Sequence, residues 1–101
     1  MKLDINNESG IAVAKLSGEI DHHNALDLRR ELDRYIISAQ PGTLRMDFRG
    51  VTFMDSSGVG LIMGRSKLMK ECGGKLEVSG PQPYIRRVLK LSGIDRIVRI
   101  I

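Results

Sequence analysis

Two kinds of hydrophobic spacing alternate along this chain, and their order limits the folds that it can adopt. Apolar residues at every second position indicate strands, whereas helices repeat them at three- or four-residue spacing. The resulting order is strand, strand, helix, strand, helix, strand, helix, strand. Parallel strands joined by right-handed crossovers carry their helices on one face of a sheet. The pattern therefore predicts a single α/β domain over residues 1–101, with a mixed sheet of about five strands, parallel β-α units and helices mainly on one face.

Local signals give the approximate bounds of these elements. Asn24 is a favourable N-cap for the first helix, and Pro41-Gly42 would end it. The strands are predicted at residues 1–6, 11–17, 44–49, 75–79 and 97–101, with residues 18–23 as a loop and residues 50–54 as a connection. The second helix carries Leu61, Leu68 and Cys72 on one stripe and ends at Gly73-Gly74, and the third opens at Pro81 or Pro83. Charged residues alternate with the apolar ones in the strands, which predicts a solvated second face of the sheet.

The segment Asp55-Ser56-Ser57-Gly58-Val59-Gly60 stands where a predicted strand and its connection lead into a helix. The first N–H groups of a helix lack partners and its dipole favours negative charge, so a phosphate on Ser56 would be held there. A structural interpretation is also open, in which Ser56 or Ser57 is only the helix N-cap. Adjacent parallel strands end at the same edge of a sheet, which predicts that residues 21–23 lie beside this turn.

Several classes of function are disfavoured by composition. The formal net charge is +4, but Phe53 and Tyr84 are the only aromatic residues in the basic second half, which favours a solvated basic face over nucleic-acid binding. No apolar run approaches the roughly 20 residues of a membrane span. The chain shows no signal-peptide core, and the lone Cys72 has no internal disulfide partner. We expect a cytoplasmic protein that binds neither nucleic acid nor membrane.

An enzymatic interpretation is the alternative: a small hydrolase or nucleotide-binding protein that uses the Asp55-Ser56 turn. Met54 and Gly58 flank the serine pair, so no Gly-x-Ser-x-Gly elbow exists, and the glycines from Gly58 onward miss the dinucleotide spacing. His22 and His23 lack a third metal ligand nearby. We expect no catalytic residue, no cofactor and no metal. Gly60 and Gly64 are instead expected to let the helix pack closely on the sheet.

Three segments of the chain resemble the bacterial anti-sigma factor antagonists of the STAS domain family, and above all those of sporulation. These segments are Gly18-Glu19-Ile20-Asp21-His22-His23, Phe53-Met54-Asp55-Ser56-Ser57-Gly58-Val59-Gly60 and Leu91-Ser92-Gly93-Ile94. The similarity covers nearly the whole chain, although family members commonly continue into a further C-terminal helix, whereas this chain stops at Ile101.

The resemblance implies a phosphorylation-switched protein-binding module. Such a protein binds an anti-sigma factor serine kinase and releases the sigma factor until the kinase phosphorylates the first serine of the turn, here Ser56. A serine phosphatase of the PP2C type then removes the phosphate. Val59 and Met63, one helical turn apart, are either a partner contact or a second core stripe. The residues expected to face the partner are Asp21, His22, His23, Asp55, Ser56, Ser57, Gly58, Val59 and Met63.

Overall fold

One mixed sheet organises the chain in the computed structural model, which describes residues 1–101. Its strands are β1 (Lys2–Glu8), β2 (Ile11–Ile20), β3 (Thr43–Met54), β4 (Lys75–Ser79) and β5 (Arg99–Ile100). They lie side by side in chain order. The first two strands form an antiparallel hairpin, and each later strand pairs in parallel with the one before it. The helices are α1 (Ala25–Ala39), α2 (Ser56–Glu71) and α3 (Pro83–Leu91), followed by a short 3-10 helix (Ile94–Arg96).

All three helices pack against the same face of this sheet. Alternating strand residues such as Leu44, Met46 and Phe48 form one buried cluster with helix residues such as Leu32 and Ile85. A single contiguous core of this kind is what right-handed crossovers between neighbouring parallel strands produce. The predicted fold class, a mixed five-stranded α/β sheet with helices on one face, is therefore confirmed. None of the helices combines the length and the apolar character that a membrane-spanning helix needs.

The second face of the sheet is charged, as the alternation predicts, and its charges are paired. Arg45 Nε donates to Glu77 Oε1 at 2.7 Å, across the β3–β4 pair. Arg49 Nη2 donates to Asp47 Oδ2 at 2.7 Å, and this hydrogen bonding is the main reason that the pKa of Asp47 lies below its ordinary value. Because the arginines lie over them, both carboxylates are buried although no helix covers this face. Ion pairs thus shield the open side of a parallel sheet.

Three of the predicted bounds are wrong, and pairing between distant segments explains two of them. β2 continues through residues 18–20, and β3 continues through residues 50–54, because the two strand ends pair with each other at Glu19↔Phe53 and Ile20↔Met54. Local patterns do not contain that tertiary pairing. The last strand is much shorter than predicted, because the N–H groups of Ile97 and Val98 donate to the Ile94 carbonyl of the 3-10 helix and are not available to the sheet.

The packing of α2 also differs from its predicted stripe. Leu61 is buried, but Leu68 and Cys72 are only partly buried. Their places in the interior are taken by Ile62 and Met69, which the sequence put beside the stripe, and by two polar residues, Arg65 and Ser66.

The glycines of α2 have opposite surroundings. A Cβ placed on Gly58 would overlap the side chain of Met54, with Sδ at 2.5 Å, and would lie 3.4 Å from Ile20 Cγ2. The same construction on Gly60 or Gly64 meets no atom within 4 Å. Close packing of helix on sheet therefore requires Gly58, and the expectation that it explains Gly60 and Gly64 is wrong.

Alanine substitutions at these three glycines should separate the two situations. Gly58→Ala should lower the free energy of unfolding by about 1–3 kcal/mol, because overpacking of the buried Met54 outweighs the gain in helix propensity. Gly60→Ala and Gly64→Ala serve as matched controls and should each raise it by about 0.5–1 kcal/mol. Urea denaturation measures all three. Equal stability changes at the three sites would show that Met54 relaxes freely.

Candidate functional site

The ends of β2 and β3 bring two polar loops together, as predicted. Ile20 pairs with Met54, and the backbone N–H of Asp55 donates to the carbonyl of Ile20 at 3.1 Å. The chain leaves both strands at this point, so residues 21–23 and residues 55–57 lie next to each other. We call these six residues the serine edge. It stands at the carboxyl ends of parallel strands, where open α/β sheets bind their ligands.

Asp55, and not a serine, caps α2. Its Oδ1 accepts the backbone N–H of Ser57 at 2.9 Å and also accepts the Ser57 hydroxyl. The interpretation in which Ser56 or Ser57 is the N-cap is therefore wrong. Asp55, one residue before the helix, is the N-cap, and its carboxylate accepts the N–H of Ser57. The Ser57 hydroxyl is the main cause that holds the pKa of Asp55 below its ordinary value, with the Ser57 backbone N–H and nearby His22 adding to the effect. Asp55 is thus a carboxylate at neutral pH.

The two serines of the turn are in different states. Ser57 is partly buried and its hydroxyl donates to Asp55. Ser56 is the first residue of α2, is exposed, and its hydroxyl forms no hydrogen bond within the protein. Only the Ser56 hydroxyl is therefore free to react with an external group without breaking a bond of the fold.

The start of α2 is not a vacant anion site. The N–H of Ser57 is bound by the Asp55 carboxylate, and the N–H of Gly58 donates to the Asp55 carbonyl at 3.0 Å. The helix dipole is already compensated by that carboxylate. A phosphate on Ser56 would thus meet a neighbouring negative charge where the sequence predicted a set of free N–H donors.

The loop that carries Asp21 is braced by its own side chains. Asp21 Oδ1 accepts the backbone N–H groups of His23 at 3.0 Å and Asn24 at 3.1 Å. Asn24 in turn accepts the N–H of Asp21 through Oδ1 at 3.1 Å and donates from Nδ2 to the Glu19 carbonyl at 2.7 Å. Asn24 occupies the N-cap position of α1, as predicted, but its side chain makes no capping hydrogen bond to the helix. Asp21 shapes the loop and keeps its second carboxylate oxygen unbonded.

Two exposed histidines stand on the serine edge, and one of them, His22, approaches the second loop. The rings of His22 and His23 lie with their centroids 4.1 Å apart. His22 Nδ1 is 4.0 Å from Asp55 Oδ2, which places one imidazole next to the capping carboxylate. No group of three His, Cys, Asp or Glu side chains lies close enough together to hold a metal ion.

The remaining predicted contacts divide between the interior and the surface. Gly58 is buried against the side chain of Met54, so it lies in the interior and not on the surface. Val59 is partly buried and packs against the core, in agreement with the core interpretation. Met63 has 48% of its surface exposed, in agreement with the contact interpretation. Val59 and Met63 thus differ in burial, although their spacing places them on the same side of the helix.

A groove between α1 and α2, which starts at Ser57, was not predicted from the sequence. Leu26 and Arg29 of α1 line it opposite Gly60, Gly64 and Arg65 of α2. The four-residue spacing of the two glycines is the one signal that points to it, and that spacing suggested helix packing instead.

Comparison with known proteins agrees with this architecture. The STAS domain family model matches residues 2–101. The chain is 34% identical over 100 residues to the anti-sigma F factor antagonist of Paenibacillus polymyxa, across 99% of this chain and 86% of that protein. The structure of the unphosphorylated anti-sigma factor antagonist SpoIIAA has a TM-score of 0.85 at 29% identity, across 99% of this chain and 88% of that chain. The phosphorylated form of Bacillus SpoIIAA has a TM-score of 0.76 at 29% identity, across 99% and 91% of the two chains.

The family match spans nearly every residue of the fold, and the Paenibacillus relative aligns along the same length. The chain therefore belongs to the STAS domain family, in its group of anti-sigma factor antagonists.

Proposed function

We propose that this protein is a partner switch controlled by one phosphate. Unphosphorylated, it binds an anti-sigma factor serine kinase and so releases the sigma factor that the kinase holds. The kinase phosphorylates Ser56, which ends binding, and a PP2C-type serine phosphatase restores the active form. The observation that carries this proposal is the contrast between an exposed, unbonded Ser56 and a Ser57 whose hydroxyl is bound to Asp55.

The relatives support the partners and the setting of this switch. The Paenibacillus relative is named as an antagonist of an anti-sigma F factor, and SpoIIAA has been described in both phosphorylated and unphosphorylated forms. By analogy, the present protein would act in the cytoplasm during sporulation. We expect its partner surface to be the serine edge together with Val59 and Met63.

Electrostatics at the serine edge explain how one phosphate would end binding. A phosphoserine carries about −1.5 to −2 charges at neutral pH. Asp55 is already ionised one residue away, because the Ser57 hydroxyl lowers its pKa. A partner that covers Ser56 would have to desolvate two adjacent negative groups, which is costly unless both are paired. The fold itself would lose no hydrogen bond, since the Ser56 hydroxyl makes none.

No observation favours the alternative of a hydrolase or nucleotide-binding protein. Neither histidine forms a hydrogen bond with either serine, and the one base that the Ser57 hydroxyl contacts is the Asp55 carboxylate, whose lowered pKa makes it too weak a base to activate a serine. A serine nucleophile requires a base within hydrogen-bond reach of its hydroxyl.

Phosphate should be found on Ser56 and not on Ser57 after incubation with a candidate anti-sigma factor serine kinase and ATP. Ser56→Ala should remove all labelling, because the only free hydroxyl of the turn is lost. Ser57→Ala is the matched control and should still be labelled, although it should lose about 0.5–1.5 kcal/mol of stability with its bond to Asp55. Mass spectrometry of peptides locates the phosphate. Stoichiometric labelling of Ser56→Ala would contradict the assignment.

Charge at residue 56 should control affinity for the kinase. Ser56→Asp should weaken binding at least tenfold, because it places a second carboxylate beside Asp55. Ser56→Asn has the same shape without the charge and should bind much better than Ser56→Asp. Both variants should stay folded, and an acidic residue in the first helical turn should contribute about 0.3–1 kcal/mol. Titration calorimetry compares them, and equal affinities would show that bulk and not charge operates the switch.

Asp21 should contribute to binding through its charge as well as through its loop. Asp21→Asn keeps an oxygen that accepts the N–H groups of His23 and Asn24, so the melting temperature should change little. Its affinity for the kinase should nevertheless fall about tenfold, which corresponds to about 1.4 kcal/mol. Asp21→Ala should lower both affinity and melting temperature, since the loop loses two hydrogen bonds. Wild-type affinity of the asparagine variant would place the Asp21 charge outside the interface.

A further inference from the structure

The groove between α1 and α2 is an unfilled surface next to the serine edge. It has a volume of about 380 Å³, at the small end of the roughly 300–1,000 Å³ of ligand pockets. Ser57 lies at its edge, and the exposed side chain of Leu26 forms part of its apolar wall. Gly60 and Gly64 lie one helical turn apart on its α2 side, and no atom approaches within 4 Å of the Cβ that either would carry. The groove therefore exists because these two residues lack side chains.

These glycines have a cost that the fold does not explain. A glycine inside a helix is less favourable than alanine by about 1 kcal/mol. Gly58 offsets that cost through its close contact with Met54, but Gly60 and Gly64 approach no neighbour. Their only structural effect is to keep the groove open.

A buried arginine forms the charged part of the groove. Arg65 is 6% exposed, and its Nε lies 2.7 Å from Asp33 Oδ1 without satisfying hydrogen-bond geometry. None of the N–H groups of its guanidinium donates a hydrogen bond within the protein. Buried donors without an acceptor are destabilising, and more so when the group is charged. Arg65 Nε thus faces Asp33, whereas the other guanidinium N–H groups have no acceptor within the protein, and Arg65 lines the groove.

The charges around Arg65 define which external group would complement it. Arg29 Nε lies 3.6 Å from Asp33 Oδ2, and Arg65 lies against the other oxygen of the same carboxylate. Two cations against one anion leave a net positive charge. A carboxylate is the complementary group, because guanidinium and carboxylate form strong charge-assisted hydrogen bonds.

We infer that this groove is a second contact for the kinase, which lays an apolar side chain over Gly60 and Gly64 and presents a carboxylate to Arg65 and Arg29. The inference rests on the proposed function. Ser57 belongs to both surfaces, so a partner that covers Ser56 reaches the groove without crossing open solvent. Contacts in the groove would increase the affinity for the kinase and fix its orientation, whereas the phosphate on Ser56 would decide whether the kinase binds.

Filling the groove should weaken binding without weakening the fold. Gly64→Leu places a side chain in open space and replaces a helical glycine, so its melting temperature should equal or exceed that of the wild type. Its affinity for the kinase of the labelling experiment, measured by calorimetry with a non-hydrolysable ATP analogue, should fall at least tenfold. Ala39→Leu adds apolar volume at an exposed helical position outside the groove and should bind like the wild type. Arg29→Glu, on an exposed side chain, should also weaken binding and remain folded.

The outcomes separate this inference from the proposed function. Wild-type affinity of both Gly64→Leu and Arg29→Glu, together with loss of binding by Ser56→Asp, would overturn the groove contact and leave the switch standing. Absence of binding by the wild-type protein would overturn both. If Gly64→Leu lowered the melting temperature, Arg29→Glu would decide, since Arg29 is exposed and its replacement removes only the 3.6 Å pair with Asp33.

Discussion

The parallel pairing of β2 with β3 up to their last residues is the constraint on which the site depends. The hydrogen bond from Asp55 N–H to the Ile20 carbonyl extends that pairing one step beyond the strands. Two loops separated by more than thirty residues of sequence therefore start from adjacent points. Asp21 and Ser56 could not share one surface if either strand ended earlier, because the loops would then begin at different heights on the sheet edge. The long strands are in this sense part of the functional site.

Two different residues of the turn cap the helix and carry the free hydroxyl: Asp55 caps α2, and Ser56 carries the hydroxyl. Because the carboxylate caps α2, the helix does not need the hydroxyl of Ser56, and modification of that hydroxyl removes no bond of the fold. Had a serine been the cap, a phosphate would have disturbed the helix as well as the surface. In the proposed switch, the same carboxylate would supply the negative charge that makes a neighbouring phosphate unfavourable for a docking partner. Asp55 would then keep the fold constant while a phosphate on Ser56 changed the surface.

Sequence periodicity was sufficient for the fold and for the placement of the two polar loops side by side, but not for their hydrogen bonds. Alternation identified the strands because it reports which face of each strand is apolar. It did not distinguish Asp55 from Ser56 or Ser57 as the cap, since all three residue types are good caps and only geometry selects one. Asn24 stands at the predicted N-cap position of α1, but its side chain does not cap the helix, because its amide bonds the Glu19 carbonyl and the Asp21 N–H instead.

Glycine and arginine in α2 show where single-sequence inference reaches its limit. Gly58, Gly60 and Gly64 are identical in the sequence, yet the first is required by Met54 and the other two border open space. Arg65 would be placed on a solvated face by its residue type, but it is buried against Asp33. Both distinctions arise from the approach of α1 to α2, which no local pattern records. The costs that remain unexplained by the fold, two helical glycines and one guanidinium without hydrogen bonds, lie along a single groove beside the serine edge. A domain of about one hundred residues has only about 5–15 kcal/mol of net stability, so several such costs in one place indicate a surface shaped by binding.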